Sequence, residues 1–405
     1  MPMSPFLQLS ITLAIIIFAA KIAGWVSQRF GQPSVFGELL VGVLLGPSLL
    51  NLTHLPFITD SHLDEIVREL GEMGVLILMF LAGLELELGE MARNGRVSVL
   101  AGLLGVVFPV GLGAAVGFAS GMETRSALFL GLALGATSVS ISAQTLMELG
   151  ILRSRVGLGL LGAAVFDDIF VILLLSVMTA LVDGASGASA VIMTILRMAG
   201  FLVLSVLVGM YVLPFFSRLL ARLQISRGNV AMAVVVMLVY AVAAELIGGM
   251  AAITGAFLAG MMVGRSGEKR SVENGFAMLG YSFFIPIFFV DVGLRINLTE
   301  LPLEALWLAL IVSLVAVAGK WIGAGLGAKL AGFTWRESMQ LGAGMISRGE
   351  VGLIVAAIGL SEGLLSREFF STVVGMVLIS TLITPPLLRW VCTLPSPKPK
   401  VREVS

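Results

Sequence analysis

The chain has 405 residues, of which 58% are hydrophobic and only 12% charged, about half the ~25% charged share of a soluble domain. A formal net charge of zero excludes the electrostatic footprint of a nucleic-acid binder. The single cysteine, Cys392, excludes an intrachain disulfide and a cysteine-ligated metal.

In chain order, the opening MPMSPFLQLS has no basic n-region and no small-residue cleavage site. Residues 6–27 therefore read as a retained membrane span, not a signal peptide. Apolar runs able to cross a bilayer continue at 33–50, 64–88, 97–120, 124–148, 154–183, 189–220, 228–247, 250–265, 272–292, 303–331, 336–361 and 367–393. This predicts an all-α polytopic membrane protein with 13 transmembrane helices. The polar segments are the links near 51–63 and 264–273 and a tail, 395–405.

With the N-terminus outside, the inward links and the tail hold 17 Lys and Arg residues. The outward links hold 4: Arg68, Arg125, Arg295 and Arg367. That bias follows the positive-inside rule and predicts a cytoplasmic C-terminus. Thirteen spans divide as six, one and six, giving two units of opposite orientation, as in inverted-repeat transporters. The matched spans 124–148 and 336–361 carry GATSVSIS and GAGMISRGEVG. Both are rich in Gly and hydroxyl residues where a lipid-facing helix would carry Leu. Broken helices at matched positions point to a transport site.

Span 154–183 holds the strongest chemical signal, Asp167 and Asp168 within GLGLLGAAVFDDIFVILLLSVMTALV. At about 1.5 Å per residue they lie roughly 18–20 Å beyond Arg155, near the bilayer midplane. Intramembrane acids mark ion or proton pathways. Neighbours on a helix diverge by about 100°, so one acid should face an ion cavity and the other an adjoining helix. The plainer alternative is a structural pair, one acid salt-bridged and one capping. A hard cation such as Na⁺ calls for oxygen ligands, as other hard cations do, and carboxylates supply them.

Lys320, deep in LWLALIVSLVAVAGKWIGAGLGAKL, needs a partner. Asp167 is the candidate, either as a working pair or as a static one that fixes two helices. Thr137, Ser138, Ser140 and Ser142 in GATSVSIS are candidate oxygen ligands, or else ordinary small-residue packing. Arg348 and Glu350, with Ser347 in MISRGEVGLI, do not face each other on a helix. They read as charge compensation for a half-helix end or for a neighbour. Glu38, Glu85, Glu87, Glu245 and Asp291 read as interface or packing charges. Pro286, in FFIPIFFV, should kink its helix.

FGELLVGVLLGPSLL, GVLILMFLAGLELEL, GATSVSISAQTL, FDDIFVILLL, GAFLAGMMVGRS, PIFFVDVGL and SRGEVGLI resemble, in order, the monovalent cation/proton antiporters. The nearest likeness is to NapA-like bacterial Na⁺/H⁺ antiporters and to the membrane part of Kef-type K⁺ efflux systems. The resemblance implies an NhaA/NapA-like fold of 13 helices with two crossed discontinuous helices, and a homodimer working as an elevator in the bacterial inner membrane. It divides the chain into a dimerisation domain (1–95 and 226–300), a core transport domain (96–185 and 301–394), a linker helix (186–225) and the tail. It makes Asp168 the ion-binding aspartate and Asp167 the position that is Asp in electrogenic members. Lys320 becomes its salt-bridge partner, Thr137 and Ser138 the unwound stretch of the first broken helix, and Glu350 an acid near the second. The implied activity is electrogenic Na⁺/H⁺ antiport, with Kef-type K⁺/H⁺ antiport as the alternative and no cofactor beyond the transported ions.

Two departures stand out. Kef-type systems carry a nucleotide-binding domain after the last helix, whereas no GxGxxG follows here, so gating by such a domain is not expected. Asp291 sits where a small or uncharged residue is expected.

Other classes fit less well. An intramembrane aspartyl protease needs its two acids on different helices, and these are adjacent. A serine-type membrane protease needs a buried histidine base, but His54 and His62 lie at the first outward link. A passive channel needs a continuous selective pore, and buried Asp167, Asp168 and Lys320 favour a coupled transporter.

Overall fold

The computed structural model describes residues 3–55, 58–86, 89, 93–183, 187–215, 228–265, 268–295, 303–361 and 364–393. Glu87, the tail 395–405 and the side chain of Glu350 lie outside the described residues. The described chain is helical: α1 (Pro5–Arg29), α2 (Ser34–Leu45), α3 (Leu63–Leu84), α4 (Gly95–Ala119), α5 (Thr124–Gly135), α6 (Val139–Glu148), α7 (Arg155–Asp183), α8 (Gly187–Leu207), α9 (Gly228–Ala243), α10 (Ala252–Val263), α11 (Lys269–Leu279), α12 (Ile285–Leu294), α13 (Leu303–Leu330), α14 (Trp335–Gly344), α15 (Glu350–Ser361) and α16 (Arg367–Thr393). Among the described residues, nine helical stretches are long and apolar enough to cross a membrane.

Local chemistry explains many boundaries. Ser4 caps α1, its hydroxyl accepting from Leu7 N, with Pro5 as the first helical residue, where a missing N–H costs nothing. Thr334 and Glu337 form a reciprocal capping box at α14. The run 33–50 is helical only to Leu45, because extended Gly46 ends it. The run 64–88 forms α3, which ends at Leu84. Gly249, at φ +63°, separates α9 and its terminal π-turn from α10; a side chain would resist that left-handed backbone. A π-turn, Gly280–Phe284, precedes Pro286 and joins α11 to α12. The extra residue in that turn absorbs the disruption that proline causes.

Burial along α1 falls on one stripe, Gln8, Thr12, Ile16, Ala20, Gly24 and Ser27. The opposite face shows Phe6, Phe18 and Trp25. Along α8, Ile192, Leu196 and Val203 point outward in the same way. Large apolar side chains outside and small or polar ones inside suit a lipid solvent, where close packing of small residues replaces hydrophobic collapse. The chain is a multi-pass membrane protein.

Helices α4, α5, α7 and α13 to α16 pack on one another, as do α1 to α3 and α9 to α12. The closest seam joins α13 to α4. A Cβ at Gly327 or Gly323 would lie 2.3 Å from the carbonyl of Leu100 or Leu104, and one at Gly319 would lie 3.0 Å from Pro109 Cα. Glycine at every fourth position lets the two backbones touch. Lys320, next to the first of these glycines, is thereby brought into the protein interior.

Candidate functional site

Two helix breaks meet beside α7. The backbone leaves the helix after Gly135, runs extended through Ala136 and Ser138, and re-enters at Val139. A second break separates Gly344 from Glu350. Ser138 N donates to the carbonyl of Ser347 at 2.9 Å, and Ser347 Oγ donates to the carbonyl of Ser138. Ser142 Oγ donates to the carbonyl of Gly344 at 2.5 Å. The freed backbone groups of each break are thus met by the other, as the membrane interior demands. Gly349 permits the approach, since a Cβ there would sit 2.6 Å from Ser138 Cβ.

Each break also leaves a helix C-terminus with free carbonyls and a partial negative charge, and a buried cation meets each. Lys320, fully buried, donates to the carbonyl of Gly135 at 2.8 Å, the last residue of α5. Arg348, also fully buried, donates to the carbonyls of Ile346 at 2.7 Å and Met345 at 3.3 Å, beyond the end of α14, and to Ala316 at 3.1 Å. Thr381 Oγ1 holds the Arg348 carbonyl at 2.6 Å.

The adjacent aspartates diverge. Asp167 has no exposed surface, and its Oδ1 accepts from Lys320 Nζ in a buried salt bridge. Among the described residues its Oδ2 has no hydrogen-bond partner, nor do buried Thr137 Oγ1 and Arg348 Nε. Asp168, 9% exposed, turns the other way. It borders a cavity of about 10 Å³, room for about one water molecule, and Thr254 Oγ1 on α10 donates to its Oδ2 at 3.4 Å.

Among the sequence candidates, Asp167, Lys320, Thr137, Ser138, Ser140, Ser142, Ser347 and Arg348 gather at the breaks, and Asp168 faces the cavity. Glu350 opens α15. Asp291 lies apart, held by Arg295 one turn on through Nε at 2.9 Å. That ion pair accounts for an acid in place of the expected neutral residue. Thr254 is the residue that sequence reasoning missed. Nothing in GAFLAGMMV marks the threonine just before it, because its relevance comes from a contact 86 positions away.

The family described as "Sodium/hydrogen exchanger, transmembrane" matches residues 15–394. The chain belongs to the sodium/hydrogen exchanger family. Its members are transporters, not enzymes. This exchanger-family chain is 40% identical to the Na⁺/H⁺-K⁺ antiporter GerN of Bacillus cereus, over 93% of its own length and 95% of the relative's. It is 38% identical to a Na⁺/H⁺ antiporter of Enterococcus hirae, over 93% and 96% of the two chains. Among solved structures, the sodium proton antiporter MjNhaP1 of Methanocaldococcus jannaschii superposes with a TM-score of 0.69 at 14% identity, covering 98% of this chain and 100% of the other. At that identity the likeness speaks for the fold alone.

Proposed function

We propose that this protein is an electrogenic Na⁺/H⁺ antiporter working by alternating access, with Na⁺ and H⁺ competing at Asp168. The observation that carries the reading is the division of labour between the adjacent acids. Asp167 is committed to Lys320, while Asp168 borders the cavity. Only the second is placed to meet an ion from outside the protein. The names of the relatives from Bacillus cereus and Enterococcus hirae support Na⁺ and H⁺ as the substrates.

The architecture we propose is thirteen spans in two inverted repeats, the breaks at 136–138 and 345–349 forming the crossed discontinuous helices. The two groups of packed helices are read as a core transport domain (96–185 and 301–394) and a dimerisation domain (1–95 and 226–300) of a homodimer. Residues 186–225 link them. The N-terminus faces outward and the C-terminus the cytoplasm, from the basic-residue bias.

In this scheme the deprotonated Asp168 takes Na⁺ on the cytoplasmic side, and the core domain carries it across. Outside, protons displace it, and the protonated site returns. Asp167 takes up and releases a second proton in the same cycle, as its pairing with Lys320 loosens and re-forms. Thr137 and Ser138 contribute oxygens from the first break. Arg348 stays in place as counter-charge to the end of α14.

The test is Na⁺- and K⁺-driven proton flux in proteoliposomes, wild type beside Asp168→Asn. Sodium-driven flux that disappears in the variant supports the assignment, and full flux in Asp168→Asn refutes it. A second reading, K⁺ as a transported ion, is favoured by the K⁺ in the name of the relative from Bacillus cereus. A response to K⁺ alone would establish it.

A further inference from the structure

The cavity beside Asp168 is lined by apolar side chains, among them Met79, Val139, Leu161 and Phe257, with one further polar residue, Thr254. Thr254 lies in the first turn of α10 and is 3% exposed. Its Oγ1 is 3.4 Å from Asp168 Oδ2. That is long for an O–H···O hydrogen bond, usually about 2.7–2.8 Å. It is the separation of two neighbouring ligands on a hard cation. With cation–oxygen distances of about 2.4 Å, ligands at right angles lie about 3.4 Å apart. A larger ion would wedge the two oxygens further apart.

We propose that Thr254 is a cation ligand that completes the Asp168 site in this conformation and tunes it towards an ion of Na⁺ size over K⁺. The proposal rests on the reading of Asp168 as the cation carboxylate. Without a cation, the hydroxyl donates to Asp168. With one, the hydroxyl rotates its proton away from the carboxylate, and an oxygen lone pair faces the ion. Thr254 stands on α10, which packs with α3 and α9, whereas Asp168 stands on α7, which packs with α4. Any movement of one group of helices past the other removes this ligand. The site is then tighter in one orientation than in the other, as release after transport requires.

The experiment compares initial exchange rates against Na⁺ and K⁺ concentration in proteoliposomes for wild type, Asp168→Asn, Thr254→Val and Thr254→Ser. Thr254→Val should raise the KM for Na⁺ about five- to tenfold, the factor expected for one interaction of hydrogen-bond strength. The apparent melting temperature should hold, and the preference for Na⁺ over K⁺ should narrow. Thr254→Ser keeps the hydroxyl and should restore the wild-type KM. An unchanged Na⁺ KM and ion preference in Thr254→Val would overturn the proposal, as would a loss that Thr254→Ser fails to restore. If Thr254→Val does not fold, Thr254→Ala against Thr254→Ser gives the same comparison. Exchange that survives in Asp168→Asn would instead overturn the parent reading.

Discussion

Replacing Lys320 by methionine removes the salt bridge to Asp167 and the bond to the Gly135 carbonyl together, at a site with no exposed surface. Breaking a buried ion pair from one side costs about 3–5 kcal/mol, because the remaining charge is left uncompensated. The orphaned carbonyl adds about 1–3 kcal/mol. Lys320→Met should therefore lose roughly 4–8 kcal/mol, a drop of several degrees or more in apparent melting temperature. Asp167→Asn in the same background removes the stranded charge and should recover about 2 kcal/mol or more, since residues in one buried pair do not add independently. The assay is thermal unfolding in detergent for wild type, both single variants and the double variant. Additive losses would refute the argument, for they would mean that the pair is not energetically coupled.

Three glycine substitutions test the close backbone approaches. Gly349→Ala sets a Cβ 2.6 Å from Ser138 Cβ, so the breaks must separate; we expect a loss of about 1–3 kcal/mol and of exchange, read by melting temperature and proteoliposome flux. Gly323→Val, whose Cβ meets the Leu104 carbonyl at 2.3 Å, should prise α13 from α4 and reduce exchange through Lys320. Gly332→Val, at a position with φ +95° but open space around it, should lower stability while sparing exchange.

Much of the site was legible because charge is conspicuous in an apolar sequence. Asp167, Asp168, Lys320 and Arg348 stand out against their runs, and Gly-, Ser- and Thr-rich stretches revealed both breaks. Helix ends were less legible, since extended Gly46 and left-handed Gly249 end helices within apolar sequence. Partnerships were legible only where need was one-sided. A buried lysine demands an acid, so Asp167 could be named. A threonine in α10 demands nothing, and Arg295 four residues after Asp291 looked like an ordinary link residue. The roles of Gly319, Gly323 and Gly327 likewise depend on which carbonyls lie opposite.

The buried charges also set an expectation for the electrical behaviour of the cycle. With both acids ionised and both bases protonated, Asp167, Asp168, Lys320 and Arg348 sum to zero. Na⁺ at Asp168 brings the sum to +1, while protons on both acids bring it to +2. An exchange of two protons for one Na⁺ therefore moves one net charge per cycle, through the Asp167–Lys320 pair. Asp167→Asn with Lys320→Gln deletes one charge of each sign and one exchangeable proton. Arg348 and Asp168 still sum to zero, so the variant should exchange one proton for one Na⁺ with no net charge moved. In proteoliposomes with a potential-sensitive dye, wild-type exchange should generate a membrane potential. The double variant should acidify or alkalinise the lumen without one. A potential undiminished in the double variant would show that the second proton travels elsewhere, and that Lys320 serves only to hold α5, α7 and α13 together.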